Sequence, residues 1–247
     1  MRRAVEVFVP RGIALLAVLL FGFQPALAED LVLTPVKDNT LIENAQGGLS
    51  NGAGMYLFAG KTSGNSTRRA LLKFDIAGSV PAGATITRAS LTLTMSRTIG
   101  GEVPISLHRV LADWGEGTSD AGAEEGKGAP ATAGDATWVH TFFDTGNWAA
   151  PGGDFAPEAS ATAPVGANGS YTWESPQLAV DVENWLADPG SDFGWVLIGG
   201  ESAASTAKRF ASREHPEEAT RPALTLSYDA TAVGASSWGQ VKEGGER

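Results

Sequence analysis

The sequence predicts an all-β protein, an antiparallel β-sandwich of jelly-roll type with one short helix. Three observations carry that expectation. Apolar and polar residues alternate with period two in short runs: Leu72, Phe74 and Ile76 fall on one face, Lys73 and Asp75 on the other. Turn signals such as Pro81-Ala82-Gly83 and Gly100-Gly101 interrupt those runs at regular spacing. Helical spacing is confined to one segment, Leu178 to Leu186.

In chain order, the first segment reads as an address. Arg2, Arg3 and Arg11 precede an apolar run from Ile13 to Phe23, and Ala26-Leu27-Ala28 has the small-x-small form of a cleavage site. Residues 1–28 are therefore expected to be a signal peptide. The run falls short of the roughly 20 residues that span a bilayer, so the protein is expected to be secreted, held at the cell surface or periplasmic, with no membrane span.

The next segments read as strands and turns. Leu31 to Ile42 alternates loosely, and Gly47 to Gly52 is a glycine-rich loop. That loop holds a Gly-x-Ser-x-Gly match at Gly48 to Gly52, read as chance because Met55 to Ala59 after it looks like a strand, where a nucleophile elbow needs a helix. Arg69 to Ile76 is a strand, and Ala89, Leu91, Leu93 and Met95 alternate with Ser90, Thr92 and Thr94 in another. Val103, Ile105 and Leu107 continue the pattern into a long acidic stretch, Asp113 to Phe155, which holds three of the seven tryptophans. Long loops of this kind are often functional. Beyond it, Trp138 to Phe143 and Tyr171 to Trp173 read as strands. Val182, Trp185 and Leu186 define the helix, with Asp181 as its expected N-cap and Pro189-Gly190 as its stop. Gly194 to Gly199 is a continuous apolar run expected of a fully buried strand. Arg209 to Ser212 and Leu224 to Tyr228 close a single domain, 29–229. Residues 230–247 read as a flexible tail.

Charge narrows the partners. The whole chain carries a formal charge of -10, and removing three Arg and one Glu with residues 1–28 takes the mature chain to -12. A phosphate backbone needs a basic footprint that is missing here, so nucleic acid is not an expected partner. With no cysteine, disulfides and thiolate metal sites are excluded.

Several short pieces resemble the DNRLRE domain family. They are Arg69-Ala70-Leu71-Leu72-Lys73-Phe74-Asp75-Ile76, Gly83-Ala84-Thr85-Ile86 with Ala89-Ser90-Leu91, Trp114-Gly115-Glu116, and Asp135-Ala136-Thr137-Trp138. Phe193-Gly194-Trp195-Val196-Leu197, Phe210-Ala211-Ser212-Arg213-Glu214 and Arg221-Pro222-Ala223-Leu224-Thr225 continue the likeness in order. The resemblance implies a secreted or surface bacterial jelly roll, similar to carbohydrate-binding modules and without a defined activity of its own. Such modules often sit beside a catalytic domain, and this chain has room for only the module.

Sugar recognition uses aromatic faces flanked by a few polar groups. The ligand-binding candidates are accordingly Trp114, Glu116 and Trp148, with His108 on the strand entering the long stretch. Arg209 and Arg213 join them, because guanidinium groups suit the carboxylate of an acidic sugar such as a uronate. Trp138, Trp185 and Trp195 are assigned to the core. Asp38, Asn39, Asp113, Asp120 and Asp135 are oxygen donors for a structural calcium, although they lack EF-hand spacing; no other cofactor is expected. Glu116, Asp120, Glu124, Glu125 and Glu214 are available as carboxylates, but nothing in their spacing selects a catalytic pair. The leading expectation is a non-catalytic, exported polysaccharide-binding or matrix-associated module. A structural or adhesive surface protein that binds another protein comes second, and a polysaccharide lyase or glycoside hydrolase last.

Overall fold

The computed structural model describes residues 28–230. The predicted signal peptide, apart from Ala28, and the predicted tail, apart from Ala230, lie outside the described residues. The strands are β1 (Ala28–Leu33), β2 (Lys37–Ile42), β3 (Leu49–Ser50), β4 (Tyr56–Lys61), β5 (Thr67–Lys73), β6 (Thr85–Thr98), β7 (Val103–Arg109) and β8 (Ala129–Pro130). They continue as β9 (His140–Phe142), β10 (Gly146–Asn147), β11 (Ala161–Val165), β12 (Gly169–Glu174), β13 (Trp195–Ile198), β14 (Lys208–Ala211) and β15 (Ala223–Asp229). Helix α1 (Pro176–Ala187) lies between β12 and β13.

Alternation along these strands sets the two layers. β6 is the axis of the first: β15 and then β14 pair along one edge of it, and β12 pairs along the other. β1 extends this layer beyond β15. The second layer runs β2, β5, β13, β7, β11. β4 joins the two, pairing with β14 over Tyr56 to Ala59 and with β5 at Gly60 and Lys61. All these pairings are antiparallel, so eleven strands form one sheet folded over on itself. Successive strands cross repeatedly between layers, as β5 to β6, β6 to β7 and β11 to β12 do. That winding gives the jelly-roll sandwich.

Gly60 sits where the sheet turns from one layer to the other. Its φ is +106°, and a Cβ there would lie 2.9 Å from the Thr206 carbonyl oxygen. Both the backbone conformation and the space require glycine.

The inner faces meet in one core. Leu91, Leu93, Phe210, Trp173 and Leu226 from the first layer pack against Leu72, Leu107, Ala163, Trp195 and Leu197 from the second. Polar atoms carried inside are matched: Trp173 Nε1 donates to the Ile105 carbonyl at 2.7 Å, and Trp195 Nε1 donates to Asp181 Oδ2 at 3.1 Å. The assignment of Trp185 and Trp195 to the core holds, with their rings 4.5 Å apart.

The helix forms where the spacing places it, but its cap differs. Ser175, not Asp181, is the N-cap: its Oγ accepts from Leu178 N at 3.1 Å, and Pro176 occupies the first turn where its missing N–H costs nothing. Asp181 is instead fully buried. It accepts from Trp195 Nε1 and Gln177 Nε2 and pairs with Arg109 at 3.3 Å. A carboxylate can sit there because these donors replace the lost water.

Over β2, β5 and β13 the second layer is buried on both faces. Leu71 and Val196 point away from the main core, and with Leu41 they meet Val110, Trp114, Ala136 and Trp148 in a second cluster. Trp138, Phe155 and Phe193 are half-buried at its rim. This explains the continuous apolar run of β13, which has no wet side. The covering material is the Asp113–Phe155 stretch, and it carries structure of its own. A Val110–Phe155 bridge closes its neck, β9 and β10 form a small hairpin, and β8 pairs with β3.

Candidate functional site

A cleft of about 660 Å³ opens against the outside of the first layer. One wall comes from β4, β6 and β14: Phe58, Arg97, Thr98, Ile99, Lys208 and Arg209. Residues 121–128 of the long connection form the opposite wall. That arch is held by its own residues. Glu125, buried, accepts from Met55 N, Tyr56 N and Asn51 Nδ2 at 2.9 to 3.0 Å. The next residue, Gly126, gives its carbonyl to Arg68 Nε and Nη2 at 3.1 and 2.9 Å. With Glu125 and Gly126 tied down, Glu124 is left projecting over the cleft, its side chain 68% exposed.

Arg97 and Arg209 are register partners on adjacent strands. Like charges set directly opposite destabilise a sheet, and an anion between them relieves the repulsion. Glu124 Oε2 supplies it, pairing with Arg209 Nη1 at 2.7 Å and with Arg97 Nη1. Arg209 is further fixed by Ser96 Oγ at 3.1 Å and by stacking 3.8 Å from the Tyr56 ring centroid. Lys208, fully buried, donates to Thr98 Oγ1 and to the Gly101 carbonyl at 2.6 Å, so it shapes the cleft floor. The result is two forked cations with their donors turned toward a single exposed carboxylate.

The tryptophans expected to form a sugar platform are elsewhere. Trp114 is fully buried, its Nε1 donating to the Phe193 carbonyl at 2.8 Å. Trp148 is 5% exposed, with Nε1 on the Thr137 carbonyl at 2.9 Å. Neither ring offers a face to a ligand, because each is needed to cover Leu71 and Val196. His108 is also engaged, with Ser106 Oγ on one ring nitrogen and the Ala156 carbonyl on the other, both at 2.9 Å.

Glu116 and Arg213 meet in a separate cluster. Arg213 Nε and Nη2 bind both Glu116 oxygens at 2.7 and 2.9 Å, and Nε also pairs with Glu214 at 2.8 Å. Asp38, fully buried, takes Arg213 N on Oδ2 at 2.8 Å, and its own N–H donates to Glu116 Oε1 at 2.8 Å. Asp38, Glu116 and Glu214 each bring a carboxylate oxygen within 4.8 Å of the others. Burial, and then the neighbouring Glu214 carboxylate, push the Asp38 carboxyl well above the usual carboxylate range. Burial raises Glu214 as well, against the pull of Arg213. The Glu116 hydrogen bonds raise Arg213.

Of the five oxygen donors named for calcium, only Asp38 stands in this cluster. Asn39 is a buried hub: Oδ1 accepts from Thr40 N, Ser50 Oγ and Asn51 N, while Nδ2 donates to the Glu116 carbonyl at 3.0 Å. Asp113 pairs with Lys37 at 2.9 Å. Asp120 caps its own turn at Gly122 N, and Asp135 staples Thr132 and Ser119 within the connection. These five do not converge on one point. Ser50, centre of the Gly-x-Ser-x-Gly match, is buried on β3 with its hydroxyl on Asn39 and the Ala136 carbonyl, so it is a packing residue.

Sequence reasoning reached Arg209 and the glycine-rich acidic span but missed Arg97 and Phe58. Arg97 and Arg209 are 112 positions apart with no local signal linking them; only the β6–β14 register joins them. Fold and sites together define a class: an antiparallel jelly-roll sandwich with one face sealed by a tryptophan-rich connection and a cationic cleft on the other. Compared with known proteins, the chain matches no family model and no curated protein.

Proposed function

We propose that the protein is a non-catalytic, exported polysaccharide-binding module of the DNRLRE type, and that the cleft between Arg97, Arg209 and the Gly122–Gly128 arch receives an acidic saccharide. One observation carries the reading: two register-paired arginines held in place for a carboxylate, beside the apolar surfaces of Phe58 and Ile99. A uronate carboxylate would take the position of the Glu124 carboxylate, and guanidinium forks suit that geometry better than a point charge does. Among the described residues no helix is long and apolar enough to cross a membrane.

Affinity electrophoresis of the mature protein through gels containing uronate-rich, neutral and sulfated polysaccharides tests the proposal. Retardation by a uronate polymer, abolished in Arg97→Ala/Arg209→Ala, is the expected result. Passage through every gel without retardation overturns it, and release of shortened product would move the protein to the polysaccharide-cleaving class.

A second reading is favoured by the burial of Trp114 and Trp148: a structural or adhesive surface protein in which the long connection only seals the sandwich. It predicts no retardation by any polysaccharide.

A further inference from the structure

We infer that Asp38, Glu116 and Glu214 form a binding site for a hard divalent cation of calcium type. The three come from distant places in the chain: Asp38 from β2, Glu116 from the start of the long connection, and Glu214 from just beyond β14. Their oxygens converge to within 4.8 Å, a spacing at which three carboxylates repel unless a positive charge lies among them.

Arg213 meets only part of that need. Its side chain occupies both oxygens of Glu116 and one of Glu214, and its backbone N–H occupies Asp38 Oδ2. Two oxygens remain: Asp38 Oδ1 and Glu214 Oε2 are buried and have no hydrogen-bond partner among the described residues. Asp38 is 0% exposed, and a buried carboxylate oxygen without a donor or cation is costly. The formal charge of the three carboxylates with Arg213 is -2. Lys37, the residue before Asp38, is already committed to Asp113 and the Trp114 carbonyl. A divalent ion would bring the cluster to neutrality and supply the partner both orphaned oxygens lack.

The donor set selects the type of ion. It contains oxygen alone, with neither imidazole nor thiolate, which suits a hard cation. Three carboxylates around a fixed guanidinium do not make a regular octahedron, and calcium tolerates irregular geometry better than magnesium does. Glu116 and Glu214 keep side-chain exposures of 19% and 23%, so water can complete the coordination from that side. The competitor is a proton, because the raised Asp38 and Glu214 carboxyls could share one.

Calorimetric titration with calcium chloride and thermal melts of the mature, chelator-treated protein decide between ion and proton. The expected result is saturable binding and a melting temperature several degrees higher in calcium, with affinity falling as the pH is lowered because protons compete for the same oxygens. Glu214→Gln, at the exposed edge, should weaken binding about tenfold or more, while Asp120→Asn, a surface acid outside the cluster, should leave it unchanged. The inference is overturned if wild type shows no titratable binding and melts alike with calcium and with chelator. It is equally overturned if Asp120→Asn lowers the affinity as much as Glu214→Gln does. These readouts are independent of saccharide binding, so the cleft reading and the cation site stand or fall separately.

Discussion

Trp114 and Glu124 are ten positions apart in the same connection, yet Trp114 is fully buried and the Glu124 side chain is 68% exposed. The difference follows from what lies beneath each. Under Trp114 is the outer face of β5 and β13, where Leu71 and Val196 would otherwise meet water. Under Glu124 is the β6–β14 edge, where Arg97 and Arg209 need an anion. In one loop, aromatic area attaches and charge is presented. An aromatic-rich loop is therefore not by itself a binding surface: the apolar content of the strands it crosses decides whether its rings face inward.

That contrast can be broken first at its apolar end. Trp114→Ala should destabilise the fold by about 3–5 kcal/mol, the range for truncating a buried aromatic, and urea denaturation would measure it. A loss below about 1 kcal/mol would mean the connection contributes little to covering the second layer. Asp181→Ala, in the main core, comes next. Removing the acceptor of Trp195 Nε1 and the partner of Arg109 should cost about 2–3 kcal/mol by leaving a buried N–H unpaired.

Asp192 gives a smaller effect with a defined sign. Burial, opposed by Lys73, raises its carboxyl from the usual 3.8 to about 6. The folded state thus holds the proton more tightly than the unfolded chain. The resulting stability is fully present below the unfolded value and is lost as pH rises through about 6. Asp192→Asn still offers Oδ1 to Gly194 N and does not titrate. Its stability relative to wild type should therefore increase between pH 4 and pH 7 in paired denaturation curves; an unchanged difference would contradict the assignment.

The polar end of the connection should barely affect stability. Glu124→Gln removes the two ion pairs of an exposed carboxylate, with Arg97 and Arg209, and should shift unfolding by no more than about 1 kcal/mol. In affinity gels the same variant should strengthen retention by a uronate polymer, because the competing internal carboxylate is gone. Weaker retention would place Glu124 among the ligand contacts instead.

Legibility in the sequence followed the range of the forces involved. Ala89, Leu91, Leu93 and Met95 declare an inward face by alternation, and all four lie in the main core. The helix was legible from Val182, Trp185 and Leu186, although Ser175-Pro176 was the better cap signal: a side-chain acceptor followed by a residue that needs no donor. The direction in which Trp114 and Trp148 point was not legible, because a tryptophan in a loop carries the same local signal whether it covers a strand or greets a ligand. The meeting of Asp38, Glu116 and Glu214 was hidden for another reason. Asp38 and Glu116 are separated by 78 positions, and Glu116 and Arg213 by 97, so no window along the chain contains them.

What the sequence by itself determined is the class of fold: period-two alternation, turn residues and one capped helical segment act over a few neighbouring residues and leave an antiparallel sandwich as the way to bury every apolar face. The tertiary structure decided everything that depends on register and layering. It placed Arg97 opposite Arg209, turned the loop tryptophans inward over a second apolar face, and gathered three carboxylates around one arginine. Those outcomes come from contacts between segments far apart in the chain, whose side chains acquire their partners only once the sheet has folded over.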